Sequence, residues 1–124
     1  MTDTQRVVWI TGGGTGLGRA MALEFHRKGY FVAVSGRRAD RLEQVIALMG
    51  GAGMAAPCDV MDEASVSIAL EQILAKTRRL DVTVANAGYA ASGRVAELTA
   101  ADWTRQLGVN IVGAATTVRL SLPD

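Results

Sequence analysis

The octet Thr11–Gly18, with sequence TGGGTGLG, constrains this chain more than any other segment. It follows the apolar run Val7–Ile10 directly and leads into a helical pattern that starts near Leu17. A strand, a glycine-rich turn and a helix in this order place the unpaired N–H groups and partial positive charge of a helix N-terminus where they can bind a pyrophosphate. An ordinary glycine-rich turn is the alternative, because the G-x-G-x-x-G spacing of many dinucleotide sites is absent.

The spacing that does fit is T-G-x-x-x-G-x-G, with Thr11, Gly12, Gly16 and Gly18 in the four fixed positions. In this spacing the chain resembles the short-chain dehydrogenase/reductase family, whose cofactor loop has this pattern. The resemblance implies that one part of a dinucleotide cofactor is bound by Gly12, Thr15, Gly16, Leu17 and Gly18.

Strand and helix patterns alternate along the chain, which predicts an α/β fold. The predicted strands are Val7–Ile10, Phe31–Val34, Met54–Cys58 and Asp81–Ala85. Helical crossovers between successive strands require a parallel sheet with helices on both faces. By analogy with dinucleotide-binding folds, we expect a Rossmann-like, doubly wound sheet of strand order 3-2-1-4 that is truncated after about four strands.

The helix patterns carry recognisable end signals. The first helix is predicted to stop near Gly29, and the second ends at Gly50-Gly51. Asp62 is a suitable N-cap for the third helix. Thr99-x-x-Asp102 resembles a capping box, so a last helix is predicted from about Ala100 towards Leu122.

Composition excludes several functional classes. The chain has 124 residues, 49% of them hydrophobic, and a net charge of +1, which suits one domain without a basic face for nucleic acid. The apolar run Val7–Ile10 is too short for a signal-peptide core or a membrane span. Cys58 is the single cysteine, which favours a reducing cytoplasm. No residues around His26 have metal-ligand spacing, so no metal site is expected.

The end of the second strand favours NADP over NAD. An acidic residue there would bind the adenosine ribose hydroxyls of NAD, but this chain has Gly36 followed by Arg37 and Arg38. Guanidinium groups match phosphate geometry and stay charged at working pH, so both arginines are predicted to bind the extra phosphate of NADP(H). The alternative is a pair of solvated arginines at a helix start.

Asp59 and Val60 follow the third predicted strand. The family resemblance implies that Asp59 binds the adenine amino group, whereas a turn acid or a remote helix cap is the alternative. Cys58 beside it is expected to be a small core residue, because no nearby histidine or lysine would activate its thiol.

The segment Asn86-Ala87-Gly88 closes the fourth predicted strand and resembles the N-A-G element of the family, which contacts the cofactor near the nicotinamide ribose. The family often has a second asparagine directly before this element, where this chain has Ala85. Tyr89 follows it, either as a wall of the substrate site or as an exposed loop aromatic.

Asn110 lies on an otherwise apolar face of the last predicted helix, with Trp103, Leu107 and Ile111. A buried amide there needs hydrogen-bond partners, and without them it costs about 1–3 kcal/mol. The resemblance implies that Asn110 is the catalytic asparagine of the family tetrad, which positions a water molecule. A purely structural asparagine bonded to neighbouring backbone is the alternative.

The rest of the family's catalytic set is missing from this sequence. A tyrosine with a lysine four residues later acts as the acid or base in the family, but Tyr30 and Tyr89 are followed at that spacing by Val34 and Gly93. The chain is therefore expected to be the N-terminal, cofactor-binding half, residues 1–124, of an NADP(H)-dependent oxidoreductase acting on a carbonyl or alcohol, and to be inactive alone.

Two other interpretations remain open at the level of sequence. The first is a non-catalytic dinucleotide-binding module, such as a sensor, and the second is a truncated product that pairs with full-length subunits. Trp103 and Leu107 are expected to be partly uncovered, and the fourth strand to form an open sheet edge. Both features predict self-association into a homo-oligomer.

Overall fold

The computed structural model describes residues 2–123, and its centre is a four-stranded parallel sheet. The strands are β1 Val7–Thr11, β2 Phe31–Ser35, β3 Gly53–Ala55 and β4 Val82–Ala85. They are ordered β3-β2-β1-β4, and each neighbouring pair is parallel. The predicted fold class and strand order are thereby confirmed.

Helices cover both faces of this sheet. They are α1 Gly16–Arg27, α2 Ala39–Leu48, α3 Glu63–Thr77, α4 Ala100–Leu107 and α5 Ala114–Ser121, with a π-helical segment Gly108–Gly113 joining the last two. Two predicted caps are confirmed. The Asp62 carboxylate accepts from two N–H groups of the first turn of α3, and Thr99 forms a reciprocal capping box with Asp102.

The side chains of β1 alternate between two hydrophobic clusters. Val8 and Ile10 pack with residues of α1 and α2, whereas Val7 and Trp9 pack with residues of α3 and with Val109. All five residues of β1 are buried. A strand covered on both faces needs apolar residues at successive positions, which explains the unbroken apolar run in the sequence.

The third strand is shorter than predicted, because it ends at Ala55 and not at Cys58. Backbone hydrogen bonds still run from the Ala56 N–H to the Val34 carbonyl at 2.9 Å and from the Cys58 N–H to the Gly36 carbonyl at 3.0 Å, so the chain stays beside β2 as far as Cys58. The buried Ser35 hydroxyl donates to the Ala56 carbonyl at 2.6 Å and itself accepts from the Trp9 indole at 2.8 Å. Side-chain hydrogen bonds therefore tie β1 and β2 to the chain just after β3.

The last helix, predicted from about Ala100 towards Leu122, is present as one continuous helical region over residues 100–121, but Gly108–Gly113 within it is π-helical and not α-helical. Gly108 and Gly113 pack closely against the turn before α3. A Cβ at Gly108 would stand 2.6 Å from a Met61 side-chain atom, and a Cβ at Gly113 would stand 2.7 Å from Val60. Each glycine also destabilises an α-helix by about 1 kcal/mol, which favours a local change from α-helical to π-helical geometry here.

One face of the last helical region is exposed and apolar. Trp103 and Leu107 are each about half exposed, as predicted, and so are Ile111, Val112 and Val118. Of the helices that the structure describes, none combines the length and the apolar character that a bilayer span requires.

Candidate functional site

A cleft of about 230 Å³ lies at the carboxyl end of the sheet. Each strand delivers residues to it: Thr11 and Gly12 follow from β1, Ser35 and Gly36 from β2, Cys58 and Asp59 from beyond β3, and Ala87 and Gly88 from beyond β4. In doubly wound sheets this is the end where ligands bind, beside the position where strand order reverses. That position here lies between β1 and β4.

Gly12 and Gly18 of the glycine-rich loop pack too closely against neighbouring backbone to carry side chains. A Cβ at Gly12 would lie 2.9 Å from Ala87 Cα, and one at Gly18 would lie 2.0 Å from the Gly12 carbonyl oxygen. Gly12 and Gly16 also adopt positive φ angles of 64° and 55°. The loop thus leaves its backbone open to a ligand, as a pyrophosphate site requires.

Gly13 is a loop residue whose importance the spacing pattern did not reveal. A Cβ there would lie 2.8 Å from the Val34 side chain of β2. The pattern treats this position as variable, although the packing of the loop onto the sheet excludes a side chain.

Helix α1 points an uncapped N-terminus at this loop. Thr15 is the N-cap residue, but its side chain forms no capping hydrogen bond, and the first turn contains no acidic residue. Thr15 also lines the cleft. Free N–H groups, a free hydroxyl and the positive end of the helix dipole therefore meet beside the glycine loop, which is the donor set that suits an anion.

Thr11 and Asn86 join the glycine loop to the segment after β4. The Thr11 hydroxyl oxygen accepts from the N–H groups of Asn86 and Ala87, at 3.0 and 3.2 Å. The Asn86 side-chain amide donates to the Gly12 carbonyl at 3.2 Å. Asn86 thus supports the loop from outside the cleft lining, and the missing second asparagine at Ala85 leaves this junction intact.

Three arginines line the cleft beyond β2: Arg37, Arg38 and Arg41. The Arg38 guanidinium pairs with the Asp40 carboxylate at 2.9 Å, whereas no ion pair involves Arg37 or Arg41 within residues 2–123. Arg105 lines the opposite side, and Asp59 is the acidic residue of the lining. The excess of cationic groups favours an anionic ligand.

Asp59 forms a local turn and also lines the cleft. Its Oδ1 accepts from the Met61 N–H at 3.0 Å, which agrees with the alternative of a turn acid for that oxygen. Its Oδ2 has no hydrogen-bond partner among the residues described. Cys58 beside it is buried, as predicted, and burial raises the pKa of its thiol, which disfavours a reactive thiolate.

Asn110 is exposed, so the prediction of a buried amide is wrong. The reason is that its helix face, including Ile111, is open to solvent and Asn110 sits within the π-helical segment. Its Oδ1 accepts from the Tyr89 N–H at 2.8 Å, and its Nδ2 donates to the Tyr89 carbonyl at 2.7 Å. Asn110 therefore fixes the backbone directly after Gly88. A π-helical segment is a frequent feature of functional sites.

Some of the predicted residues line the cleft and the others lie outside its lining. The cleft lining includes Gly12, Thr15, Arg37, Arg38, Asp59, Val60, Ala87 and Gly88. The residues outside the lining are Gly16, Leu17, Gly18, Asn86 and Asn110.

Sequence reasoning missed Arg41 and Arg105 as lining residues. Arg41 lies in the first turn of α2, and Arg105 stacks over the Tyr89 ring, with 4.7 Å between guanidinium carbon and ring centroid. Spacing gave no signal for either residue, because Arg37 lies before the first residue of α2 and Val109, the lining residue one turn after Arg105, was not predicted to be part of the site. Tyr89 is half buried and lines the cleft, so it is not simply an exposed loop aromatic.

Residues 2–123 contain no group of three or more histidine, cysteine, aspartate or glutamate side chains that could hold a metal ion. The fit of the cleft to a dinucleotide instead rests on the loop that a Cβ would fill, the uncapped helix α1 and the arginine side chains.

The chain is similar to known proteins in sequence and in fold. The chain is 35% identical to meso-2,3-butanediol dehydrogenase of Serratia marcescens over 124 residues, covering 99% of this chain and 49% of that protein. An alcohol dehydrogenase of Thermococcus sibiricus, solved with 5-hydroxy-NADP, is 31% identical with a TM-score of 0.88, over 94% of this chain and 51% of that one. The 3-ketoacyl-(acyl-carrier-protein) reductase of Brucella melitensis, solved with NADH, is 30% identical with a TM-score of 0.87, over 92% and 47%.

This chain therefore spans about half the length of the relatives named here. A protein-family model described as short chain dehydrogenase matches residues 6–124, which is almost the whole chain. Together with the 3-2-1-4 parallel sheet and its glycine-rich cleft, this match shows that the chain belongs to the short-chain dehydrogenase family.

Proposed function

We propose that residues 1–124 are the N-terminal, cofactor-binding portion of an NADP(H)-dependent oxidoreductase that acts on a carbonyl or alcohol substrate. The observation that carries the proposal is the uncapped N-terminus of α1 beside a glycine loop and a cleft lined by Arg37. Relatives named as dehydrogenases support the reaction class. The bound cofactor would supply hydride transfer at its nicotinamide ring.

The residues have distinct proposed roles in holding the cofactor. Backbone of Gly12, together with Thr15 and the first turn of α1, would bind the pyrophosphate. Gly16 and Gly18 shape that turn, and Leu17 is an exposed residue at its rim. Asp59 Oδ2 and Val60 would contact the adenine, while Ala87 and Gly88 would approach the nicotinamide ribose.

The preference for NADP(H) over NAD(H) is proposed from the β2–α2 turn. Gly36 stands where an acid would repel the 2′-phosphate, and Arg37 lines the cleft without an ion-pair partner in the part of the chain that the structure describes. A guanidinium contact with a phosphate is stronger than a neutral hydrogen bond.

Titration of the purified chain with NADPH and NADH tests this preference. We expect NADPH to bind more tightly, and Arg37→Ala to weaken NADPH binding by about 10-fold, the effect of ~1.4 kcal/mol, while NADH binding stays nearly unchanged. Equal loss for both cofactors would contradict the role of Arg37, and failure of both to bind would contradict the proposed function.

Asn110 is proposed as the catalytic asparagine of the complete enzyme. Its two hydrogen bonds to the Tyr89 backbone hold it beside Gly88, where the nicotinamide portion is proposed to bind. We expect the chain of 124 residues to show no turnover alone, because Tyr30 and Tyr89 have no lysine four residues on. NADPH oxidation by the pure chain with a panel of ketones and aldehydes would contradict this expectation.

Self-association is proposed from the exposed apolar face of α4 and the π-helical segment, and the cytoplasm from the single cysteine. Ile111→Glu should lower the mass measured by light scattering towards that of a monomer, since a charge would enter the interface. Ile68→Glu on α3, at a position that is similarly exposed, is the matched control. An assembly that survives Ile111→Glu unchanged would exclude this face.

A further inference from the structure

The three arginines after β2 differ in the partners that their side chains have in the folded chain. Arg37, Arg38 and Arg41 all line the cleft, and the sequence alone favours the adjacent pair Arg37-Arg38. Their side chains have different partners in the folded chain, so they are not equivalent as ligands for a phosphate.

Arg38 is engaged by a carboxylate. Its Nη2 donates to Asp40 Oδ2 at 2.9 Å, and its Nε donates to Asp40 Oδ1 at 3.3 Å. The Arg38 guanidinium accordingly lowers the pKa of the Asp40 carboxyl below its usual value. The Asp40 carboxylate offsets the positive charge of the Arg38 guanidinium and occupies two of its N–H groups, so fewer donors and a weaker field are left for a phosphate.

Arg41 is held over the glycine-rich loop instead. It lies in the first turn of α2, and its Cβ stands 3.2 Å from the place a Gly14 Cβ would take. The side chain therefore starts beside the loop and extends into the cleft lining. In the described part of the chain, no acidic side chain pairs with it, so its five N–H donors are free.

We propose that Arg41, together with Arg37, binds the 2′-phosphate of the cofactor, and that Arg38 is a positioning residue whose guanidinium is held by Asp40 at the start of α2. This inference rests on the proposed NADP(H) binding and names the residues that determine its specificity. It assigns Arg38 a structural role and adds Arg41 to the cofactor site.

Paired ligands isolate the 2′-phosphate from the rest of the cofactor. The dissociation constants of 2′,5′-ADP and 5′-AMP are measured by calorimetry for the wild-type chain, Arg41→Ala and Arg38→Ala. We expect Arg41→Ala to lower the affinity for 2′,5′-ADP by about 10- to 100-fold, which is the effect of losing a charged hydrogen-bonded contact. The affinity for 5′-AMP should change by less than about 2-fold. Arg38→Ala should change the dissociation constant of either ligand by less than about 3-fold.

Two further variants separate charge from position. Arg41→Lys keeps the charge without the bidentate fork and should recover part of the 2′,5′-ADP affinity. Asp40→Asn frees Arg38, so the double variant Asp40→Asn, Arg41→Ala should bind 2′,5′-ADP more tightly than Arg41→Ala alone. Melting temperatures by circular dichroism check that all variants are folded.

Each outcome bears on one statement. If Arg38→Ala loses as much 2′,5′-ADP affinity as Arg41→Ala, or if Arg41→Ala weakens both ligands equally, the assignment of Arg41 is wrong while NADP(H) binding stands. If wild type binds 2′,5′-ADP no more tightly than 5′-AMP, the proposed NADP(H) preference itself fails.

Discussion

The glycine-rich wall of the cleft is held by backbone packing, whereas the wall contributed by the last helix is held by side-chain contacts. Gly12 and Gly18 are fixed by distances that admit no Cβ, and buried residues of β1 lie beneath them. The opposite wall depends on Asn110 and Arg105, which belong to a helical region with an exposed face and contact Tyr89 in the loop after β4. Backbone packing tolerates no substitution, while side-chain contacts in solvent contribute less.

The largest effect is expected at the glycine wall. Gly18→Ala would place a Cβ 2.0 Å from the Gly12 carbonyl oxygen and 2.6 Å from the Asn86 amide nitrogen. Backbone cannot move aside as a rotamer can, so the free energy of unfolding should fall by about 3 kcal/mol. NADPH affinity should fall more than ~10-fold if the loop shifts.

Urea denaturation and cofactor titration measure both effects. Gly36→Ala is the matched control for stability, because the nearest atom to its added Cβ is Leu42 Cδ2 at 3.5 Å. It should change the unfolding free energy by about 0.5 kcal/mol at most. A Gly18→Ala chain as stable as the control would show that the glycine wall is less rigid than its packing distances imply.

The junction between the walls is expected to be the next most sensitive position. Thr11→Val keeps the side-chain shape but removes the oxygen that accepts from the N–H groups of Asn86 and Ala87. The Asn86 N–H keeps its hydrogen bond to the Val84 carbonyl at 3.0 Å, but the partly buried Ala87 N–H loses its partner, which should cost about 2 kcal/mol of unfolding free energy. Thr11→Ser retains the hydroxyl and should lose less. A Thr11→Val chain as stable as the wild type would show that the hydroxyl does not hold this junction.

The helix wall should respond more weakly. Asn110→Asp keeps an acceptor for the Tyr89 N–H but sets a carboxylate oxygen against the Tyr89 carbonyl, in place of a 2.7 Å hydrogen bond. We expect a loss of about 1 kcal/mol and faster hydrogen exchange at the Tyr89 amide. Asn110→Ala removes both bonds without the repulsion, so its stability should be no lower. Unchanged exchange at Tyr89 in both variants would mean that Asn110 does not hold this segment.

The same contrast explains what the sequence predicted well. The strands were predictable because burial on both sheet faces requires an unbroken apolar run. The positions of Gly12 and Gly18 were predictable because close backbone approach requires glycine at a fixed spacing. The π-helical segment around Asn110 could not be predicted from the sequence, because it depends on the packing of Gly108 and Gly113 against residues distant in sequence. Pairing of Arg38 with Asp40, which leaves Arg41 free, likewise depends on side-chain geometry that spacing cannot rank.

The smallest effect is expected at the end of the sheet opposite the cleft, where Asp81 precedes β4. Its carboxylate accepts from the Val7 N–H at 2.8 Å and from Arg79 Nη2 at 2.7 Å. The hydrogen bonds from Arg79, and then that from Val7, hold the pKa of Asp81 below its usual value. Since the pKa is lower in the folded chain than in the unfolded chain, this contribution to stability is present above about pH 4 and is lost as the pH falls through the folded pKa.

Asp81→Asn should therefore lower the free energy of unfolding by about 0.5–1 kcal/mol at pH 7, a small effect because the ion pair with Arg79 is partly solvated. The difference in unfolding free energy between variant and wild type should be smaller in urea titrations at pH 3, because the wild-type carboxyl begins to protonate there. NADPH affinity at pH 7 should be unchanged, because Asp81 lies far along β1 from Gly12. A difference in unfolding free energy that stays constant with pH would show that ionisation of Asp81 does not contribute to stability, and a loss of NADPH affinity would show that the two ends of β1 are coupled.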